Sequence, residues 1–211
     1  MQFHFLLSPI RDYESENRLR EGLAKTQFLR LCQITPFCFF SLESTQDYLS
    51  EEMKSNHEGD VVLSRVQTLG KGRKNRRWFS DEGGLWFSMT LKPDRSHYLE
   101  RLTVIAEIAI KETLETEYCV KGCEIKLPND VQCDGRKIAG ILVDGQVKGG
   151  ETLAYLGIGV NLNNDPTQHE EVSRIATSCF LKTGRKINVE EFWLRLVQRL
   201  DKSYFELYQL K

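Results

Sequence analysis

Residues 123–147 read CEIKLPNDVQCDGRKIAGILVDGQV, and this stretch determines the predicted fold. It contains three short apolar runs of the kind that form β-strands. A Pro-Asn pair separates the first two runs, and Asp134-Gly135 separates the second from the third. Because Asp-Gly is a strong signal for a two-residue hairpin turn, the stretch predicts three consecutive antiparallel strands.

The sequence on either side supplies further strands and several helices. Strand-like runs occur at residues 36–45, 60–68, 83–93 and 151–164. Helical spacing of apolar residues occurs at 12–31, at 45–56 with Ser44 or Thr45 as the cap, at 98–118 and at 189–210. We therefore predict an α+β fold with a mixed, largely antiparallel sheet flanked by helices. We expect one domain over residues 1–211, in which residues 1–36 form an N-terminal extension.

The overall composition excludes several classes of protein. The chain has 29 basic and 30 acidic residues, so it has no general attraction for nucleic acid or for an anionic membrane. No apolar run approaches the roughly 18 residues that a membrane span needs. The six cysteines show no disulfide or zinc pattern, and we expect free, buried thiols. These observations favour a cytoplasmic protein.

Positive charge is nevertheless concentrated in QTLGKGRKNRRWFSDEGGLWFS, residues 67–88. Within seven positions this segment carries Lys71, Arg73, Lys74, Arg76 and Arg77. The neighbouring glycines let backbone amides approach an anion, and arginine donates forked hydrogen bonds to phosphate. The segment predicts a phosphate-binding loop that differs in spacing from the P-loop and from the dinucleotide fingerprint. A solvated basic turn that touches nucleic acid is the alternative.

Two residues of the 123–147 stretch are further candidates for a site. Lys126 stands beside Leu127 and Pro128, and a lone cation among apolar residues is unfavourable unless an anion meets it. A surface lysine in a plain hairpin is the alternative. Gly140 interrupts an apolar strand, which predicts that a ligand or another part of the backbone comes close there.

Several of these segments, in order and spacing, resemble the signature blocks of biotin protein ligases. The blocks here are EST at 43–45, QTLGKGRKNRRW at 67–78, KLPNDV at 126–131, GRKIAGILVD at 135–144 and GIGVNLN at 157–163. In the family they read roughly S-T-N, Q-x-x-G-R-G-R-x-G-R-x-W, K-W-P-N-D and K-x-x-G-I-L. The resemblance covers about residues 40–210 and implies the catalytic domain of the biotin/lipoate ligase superfamily.

The resemblance also implies a reaction. Such enzymes join biotin to ATP as biotinyl-5′-AMP, release pyrophosphate, and transfer biotin to a lysine of the biotin carboxyl carrier protein domain of a carboxylase. ATP and Mg²⁺ are the implied co-substrate and ion, biotin is the substrate, and a homodimer is compatible with the family. The basic loop would fold over the adenylate and keep water from it.

Site residues follow from the resemblance position by position. The catalytic positions are Lys126 and Arg73. The biotin-binding positions are Ser44, Thr45, Gln46, Gln67, Lys71, Gly72, Arg73, Lys126 and Gly140. The ATP or adenylate positions are Lys71, Arg73, Arg76, Trp78, Asn129, Asp130 and Asn161. Asp130 is also the position expected near magnesium, and Trp78 would either stack on adenine or belong to the core.

The sequence departs from the family pattern at several of these positions. Gln46 replaces Asn, Lys71 replaces Arg, Asn75 replaces Gly, and Leu127 replaces Trp. Lys71 keeps the charge without the bidentate fork, which predicts weaker retention of the adenylate. Leu127 removes an aromatic wall from the expected biotin or ribose pocket. We expect neither an N-terminal helix-turn-helix nor a small C-terminal barrel, and hence no repressor role.

The sequence leaves two other functions as alternatives. The first is a lipoate or octanoate ligase or transferase, for which Leu127 in place of Trp would open a deeper apolar tunnel. The second is a nucleic-acid-binding module that uses the basic loop. Asp81 and Glu82 follow that loop directly, and the total charge is balanced, so the sequence favours the enzyme.

Overall fold

The three strands predicted between residues 123 and 147 are present as β4 (Cys123–Lys126), β5 (Asp130–Cys133) and β6 (Arg136–Lys148). The other strands are β1 (Thr35–Leu42), β2 (Asp60–Gln67), β3 (Leu85–Leu91) and β7 (Glu151–Val160). They come from a computed structural model that describes residues 9–28, 31, 33–53, 57–93, 98–148 and 150–209. The strands form one seven-stranded sheet in the order β1-β2-β3-β7-β6-β5-β4. In the described sheet β1 and β2 are parallel and every other neighbouring pair is antiparallel, so the predicted mixed, largely antiparallel α+β fold is confirmed.

The helices are α1 (Tyr13–Ala24), α2 (Thr45–Asp47), α3 (Tyr98–Glu112), α4 (Cys179–Thr183) and α5 (Val189–Gln209). Wider helical turns extend α2 through Tyr48–Glu52 and α3 through Thr113–Glu117. The predicted helix at 12–31 is wrong at its C-terminal end, because the chain leaves the helix at Lys25 and places Phe28 and Leu31 beyond it. The helix α4 was not predicted, because it is only five residues long.

The two faces of the sheet pack against different parts of the chain. Along β7, the alternate residues Ala154, Leu156 and Ile158 belong to the main core with residues of α3 and α5. Phe192, Leu196 and Leu200 form the apolar face of α5 and are buried in this core. On the opposite face, Leu153 and Tyr155 pack in a smaller cluster with Leu49. Because strand residues alternate between faces, Gly157 and Gly159 lie on this second face.

Glycines form a row in the centre of that second face. Gly140 of β6 pairs with Gly159 of β7, and Gly159 in turn pairs with Trp86 of β3. One step along, Gly157 lies between Leu142 and Ser88. The sheet therefore has an area of backbone without side chains on this face, and the Gln46 amide of α2 and the Trp78 ring lie against it.

The described cysteines are free thiols. Cys38, Cys123, Cys133 and Cys179 are buried, as expected, whereas Cys119 is exposed. Cys32 lies outside the described residues. In the part of the chain that the structure describes, no helix is both long and apolar enough to cross a lipid bilayer.

A buried carboxyl lies on the α3 side of the sheet. Glu107 is fully buried, and burial, helped by the negative charge of Asp130, raises the pKa of its carboxyl to about 7. The backbone N–H of Asp130 partly opposes this shift. Since the ordinary pKa is 4.5, the folded chain holds a proton that the unfolded chain releases. Glu107 therefore lowers stability as the pH rises through this interval.

Replacing Glu107 by Gln should remove this pH dependence. Relative to the parent, the free energy of unfolding of Glu107→Gln is expected to rise by about 2–3 kcal/mol between roughly pH 5 and pH 8. Urea denaturation of both proteins at the two pH values measures this difference. The same difference in unfolding free energy between the two proteins at both pH values would contradict the prediction.

Candidate active site

A cavity of about 240 Å³ lies over the glycine row, on the face of the sheet opposite α3 and α5. Apart from Lys126, every residue that the sequence analysis assigned to the site lines this cavity. These residues are Ser44, Thr45, Gln46, Gln67, Lys71, Gly72, Arg73, Arg76, Trp78, Asn129, Asp130, Gly140 and Asn161. Their individual roles remain predictions, but the fold brings them together from four separate parts of the chain.

The ring of Trp78 lies directly on the glycine row. A Cβ atom at Gly159 would be 2.5 Å from Trp78 Nε1, and one at Gly140 would be 2.9 Å from Trp78 Cζ3. Trp86 meets the same ring edge to face, with centroids 6.2 Å apart. The close approach predicted at Gly140 is thus made by Trp78 and Lys137, and Trp78 serves in part as packing.

A polar network joins α2 to the base of the basic loop. The backbone N–H of Thr45 donates to Gln67 Oε1 at 2.7 Å, and Thr45 Oγ1 lies 3.0 Å from the same oxygen. Gln67 Nε2 donates to Ser80 Oγ at 2.7 Å, and Thr45 Oγ1 also bonds with Ser88 Oγ. Ser44 caps α2 by accepting from the backbone N–H of Asp47. These small hydroxyl and amide groups line one end of the cavity, where they can orient a polar ligand.

Gln46 is held from behind. Its Nε2 donates to Asp144 Oδ2 at 2.8 Å and to the carbonyl oxygen of Tyr155 at 2.9 Å. Its Oε1 is buried against Gly157 and accepts no hydrogen bond from the described residues. Gln46 thus keeps one buried acceptor that has no hydrogen-bond partner among the described residues.

The basic loop is a small hairpin that stands over the cavity. Lys71 pairs with Arg77 as an antiparallel bridge, and the N–H of Gly72 donates to the Arg76 carbonyl at 2.7 Å. At its tip Lys74 and Asn75 have positive φ angles of 55° and 58°. Asparagine tolerates this left-handed conformation better than most residues, so Asn75 suits a position where the family has glycine.

Lys126 does not lie where the sequence analysis placed it. It is exposed at the end of the edge strand β4, outside the cavity lining, and Leu127 beside it is 71% exposed. The apolar neighbours that suggested a buried cation are themselves in water, so the ammonium needs no anion there. The departure at Leu127 likewise does not touch the cavity.

Lys137 holds the position that was expected of Lys126. It lines the cavity, its Nζ lies 2.6 Å from Asp130 Oδ1, and it stands 4.9 Å from the centroid of the Trp78 ring. Lys137 was not predicted, although it lies in the quoted block GRKIAGILVD. The available signal was a cation directly before Ile138 and Ala139, two fully buried residues that lead to Gly140.

Three residues predicted to bind the nucleotide, Arg73, Asn129 and Asn161, lie at the other end of the cavity. Asn129 Nδ2 donates to the Ile141 carbonyl at 2.8 Å, and Asn129 Oδ1 accepts from Arg73 at 3.3 Å. Asn161 is buried and its Oδ1 accepts from Asn164. Arg73 therefore connects the basic loop to the turn after β4.

Phe79 is a wall residue that the sequence analysis did not single out. It lines the cavity, and its ring stacks on His169 with centroids 4.0 Å apart. His169 Nε2 lies 2.5 Å from Asp81 Oδ2, while the guanidinium of Arg77 covers Phe79 at 4.8 Å. Phe79 is thereby fixed between a cation and an imidazole.

The charge of the lining is strongly one-sided. Five cationic side chains line the cavity, at Lys71, Arg73, Arg76, Arg77 and Lys137, against the single carboxylate of Asp130 among its lining residues. Cations that converge on backbone glycines in a partly enclosed space favour an anionic, phosphate-bearing ligand. The arrangement defines an enzyme-like site for such a ligand beneath the basic loop.

Comparison with known proteins agrees with this class. The model of the biotin/lipoate A/B protein ligase family matches residues 38–163, and the chain belongs to that family. The bifunctional ligase/repressor BirA of Bacillus subtilis (strain 168) is 33% identical over 180 residues, which cover 82% of this chain and 54% of that protein. The biotin–[acetyl-CoA-carboxylase] ligase of Paracoccus denitrificans is 33% identical over 137 residues, 62% of this chain and 57% of that protein. The chain thus spans about half the length of these curated relatives.

A solved structure with the same fold is the biotin protein ligase from Aquifex aeolicus in complex with biotin and ATP. It matches with a TM-score of 0.71 and 29% sequence identity, over 83% of this chain and 72% of that chain.

Proposed function

We propose that this chain is a biotin protein ligase that activates biotin with ATP and transfers it to a lysine of a biotin carboxyl carrier domain. The observation that carries the proposal is the convergence of Lys137, Arg73 and Arg76 on one cavity whose other end is lined by hydroxyl and amide groups. One end suits a polyphosphate, and the other suits a neutral polar ring with hydrogen-bond donors. The names and bound ligands of the relatives support this assignment.

The first step brings two anions together. A carboxylate oxygen of biotin attacks the α-phosphorus of ATP, the bond to pyrophosphate breaks, and biotinyl-5′-AMP forms. The repulsion between these anions must be offset by cations already in place. In our proposal Lys137 supplies this charge at the reacting centre, because Asp130 and Trp78 hold its ammonium inside the cavity. Arg73 and Arg76 would contact the phosphates.

Magnesium fits the same end of the cavity. Mg²⁺ in nucleotide sites usually takes one or two carboxylates together with phosphate oxygens and water. Asp130 provides one carboxylate in the lining, beside the side-chain oxygen of Asn129. When bound, the ion would neutralise phosphate charge, and Asp130 would be its protein ligand.

The second step transfers the acyl group. The amine of the carrier lysine attacks the acyl carbonyl, and AMP leaves. The basic loop must shield the mixed anhydride from water until the carrier arrives. We propose that the protein acts in the cytoplasm, where ATP is available and thiols such as the described cysteines stay reduced.

Pyrophosphate exchange tests the proposal directly. The protein is incubated with ATP, magnesium and labelled pyrophosphate, together with biotin, lipoate or octanoate, and label entering ATP is counted. We expect exchange that depends on biotin, followed by transfer of biotin to an added carrier domain. Exchange with lipoate or octanoate alone, or no exchange in a folded sample, would refute the assignment.

Arg73→Gly tests the shielding role of the loop. The variant loses the contact to Asn129 and a phosphate-facing cation, so we expect adenylate formation to persist while the intermediate escapes several-fold faster. Free biotinyl-AMP in the filtrate, measured during turnover without carrier, reports the escape. Release no faster than in the parent would contradict this role.

A further inference from the structure

The ammonium of Lys71 is already bound within the protein. The resemblance assigns Lys71 to biotin and adenylate binding, yet its Nζ lies 2.6 Å from Asp47 Oδ1. Asp47 is the last residue of α2, the short helix that begins with Thr45 and Gln46. The hydrogen bond to Asp47 raises the pKa of Lys71, and the charges of Glu51 and Asp144 act in the same direction. The Lys71 ammonium is therefore directed at Asp47 of α2.

Lys71 lies at the base of the basic loop. It forms the bridge to Arg77 at the base of the hairpin, and the neighbouring Gly70 carbonyl accepts from the N–H of Trp78 at 2.8 Å. Fixing Lys71 consequently fixes both strands of the hairpin above the cavity. The same contact joins the loop to α2, whose residues Thr45 and Gln46 line the cavity.

We propose that Asp47 is a positioning residue that holds the basic loop closed over the adenylate by binding Lys71. This inference rests on the proposed function. It changes the expected role of Lys71, since the lysine fastens the loop to α2 and leaves the phosphates to Arg73, Arg76 and Lys137. It also explains why lysine stands at position 71, where the family pattern has arginine. A compact ammonium suits a single carboxylate oxygen.

The variant Asp47→Asn distinguishes two roles for Asp47, fastening the loop or withholding Lys71 from the phosphates. If Asp47 fastens the loop, the variant should release biotinyl-AMP about two- to fivefold faster, the range expected for a partly exposed ion pair, with pyrophosphate exchange unchanged. If Asp47 instead withholds Lys71 from the phosphates, freeing the lysine should slow release, and that result would overturn the proposal. Glu52→Gln is the matched control, because it removes an equal charge from the exposed end of the same helical segment and should release at the parental rate.

A double-mutant cycle tests whether Asp47 acts through Lys71. Asp47→Asn and Lys71→Met should each accelerate release, and the double variant should be no faster than the more affected single variant. Independent, multiplying effects would show that the two side chains do not act through their mutual contact.

Limited trypsin digestion tests the inference without any substrate. Cleavage after Lys74, Arg76 and Arg77 should be several-fold faster in Asp47→Asn than in the parent or in Glu52→Gln, since an opened loop is a better protease substrate. Equal cleavage in all three proteins overturns the role of Asp47. If the parent makes no adenylate from biotin while the digestion difference persists, the proposed function fails and the loop contact stands.

Discussion

Lys137→Ala is expected to reduce biotin-dependent pyrophosphate exchange by about 10²–10³-fold, the usual effect of removing one preorganised charge from a reacting centre. Its ammonium is held in the cavity by Asp130 at 2.6 Å and by the Trp78 ring, where the carboxylate and the α-phosphate would meet. The side chain is partly exposed and contributes little packing, so the variant should fold. Exchange assays with a circular dichroism check of folding measure this effect.

Lys126→Ala is the matched control for this experiment. It removes the same charge from a lysine eleven positions earlier, which is exposed at the end of β4. Its exchange rate should stay within about twofold of the parent. Lys137→Arg should recover only part of the activity, because a planar guanidinium occupies different space. A large loss in Lys126→Ala with near-normal Lys137→Ala would restore the assignment made from the sequence.

Gly159→Ala should cost about tenfold or more in exchange activity. The added methyl group would lie 2.5 to 2.9 Å from three atoms of the Trp78 ring, which is rigid and has to move. Overpacking of this kind typically costs 1–3 kcal/mol, and here the displaced ring belongs to the basic loop. The rate of pyrophosphate exchange should fall and the KM for ATP should rise.

Gly145→Ala controls for the loss of a glycine in the same sheet. Its Cβ would meet Leu99 Cδ1 at 2.4 Å, the end of a flexible side chain that lies away from the cavity lining. We expect a modest change in stability and normal exchange. Equal losses of activity in the two variants would mean that Trp78 is not the sensitive element.

The fold followed from local patterns that tertiary packing did not override. The Pro-Asn turn and the Asp-Gly hairpin placed β4, β5 and β6 correctly because turn chemistry fixes the chain direction. The C-terminal end of α1 was harder to predict from the sequence, because Phe28 and Leu31 keep helical spacing after the helix has ended at Lys25. Spacing alone cannot distinguish an apolar residue in a helix from one in a loop packed on the same core.

Apart from Lys126, the residues that the sequence predicted for the site lie around one cavity, and Lys137 joins them there. Lys126 and Lys137 both stand next to apolar residues, and the difference between them is the position of their strands in the sheet. β4 is an edge strand with an exposed turn, whereas β6 lies beside β7 in the interior. Contacts such as Lys71 with Asp47, 24 residues apart, depend on tertiary geometry that no local pattern encodes.

In the proposed ligase, the glycine row sets a limit on how far the cavity can be enlarged for longer acyl groups. No side chain remains to be shortened at Gly140, Gly157 or Gly159, and the Trp78 ring already covers Gly140 and Gly159. Leu142 pairs with Gly157 and lines the cavity, so it is the neighbouring side chain that can still be truncated. A mutant library for bulkier substrate analogues would therefore vary Leu142 first and leave the three glycines unchanged.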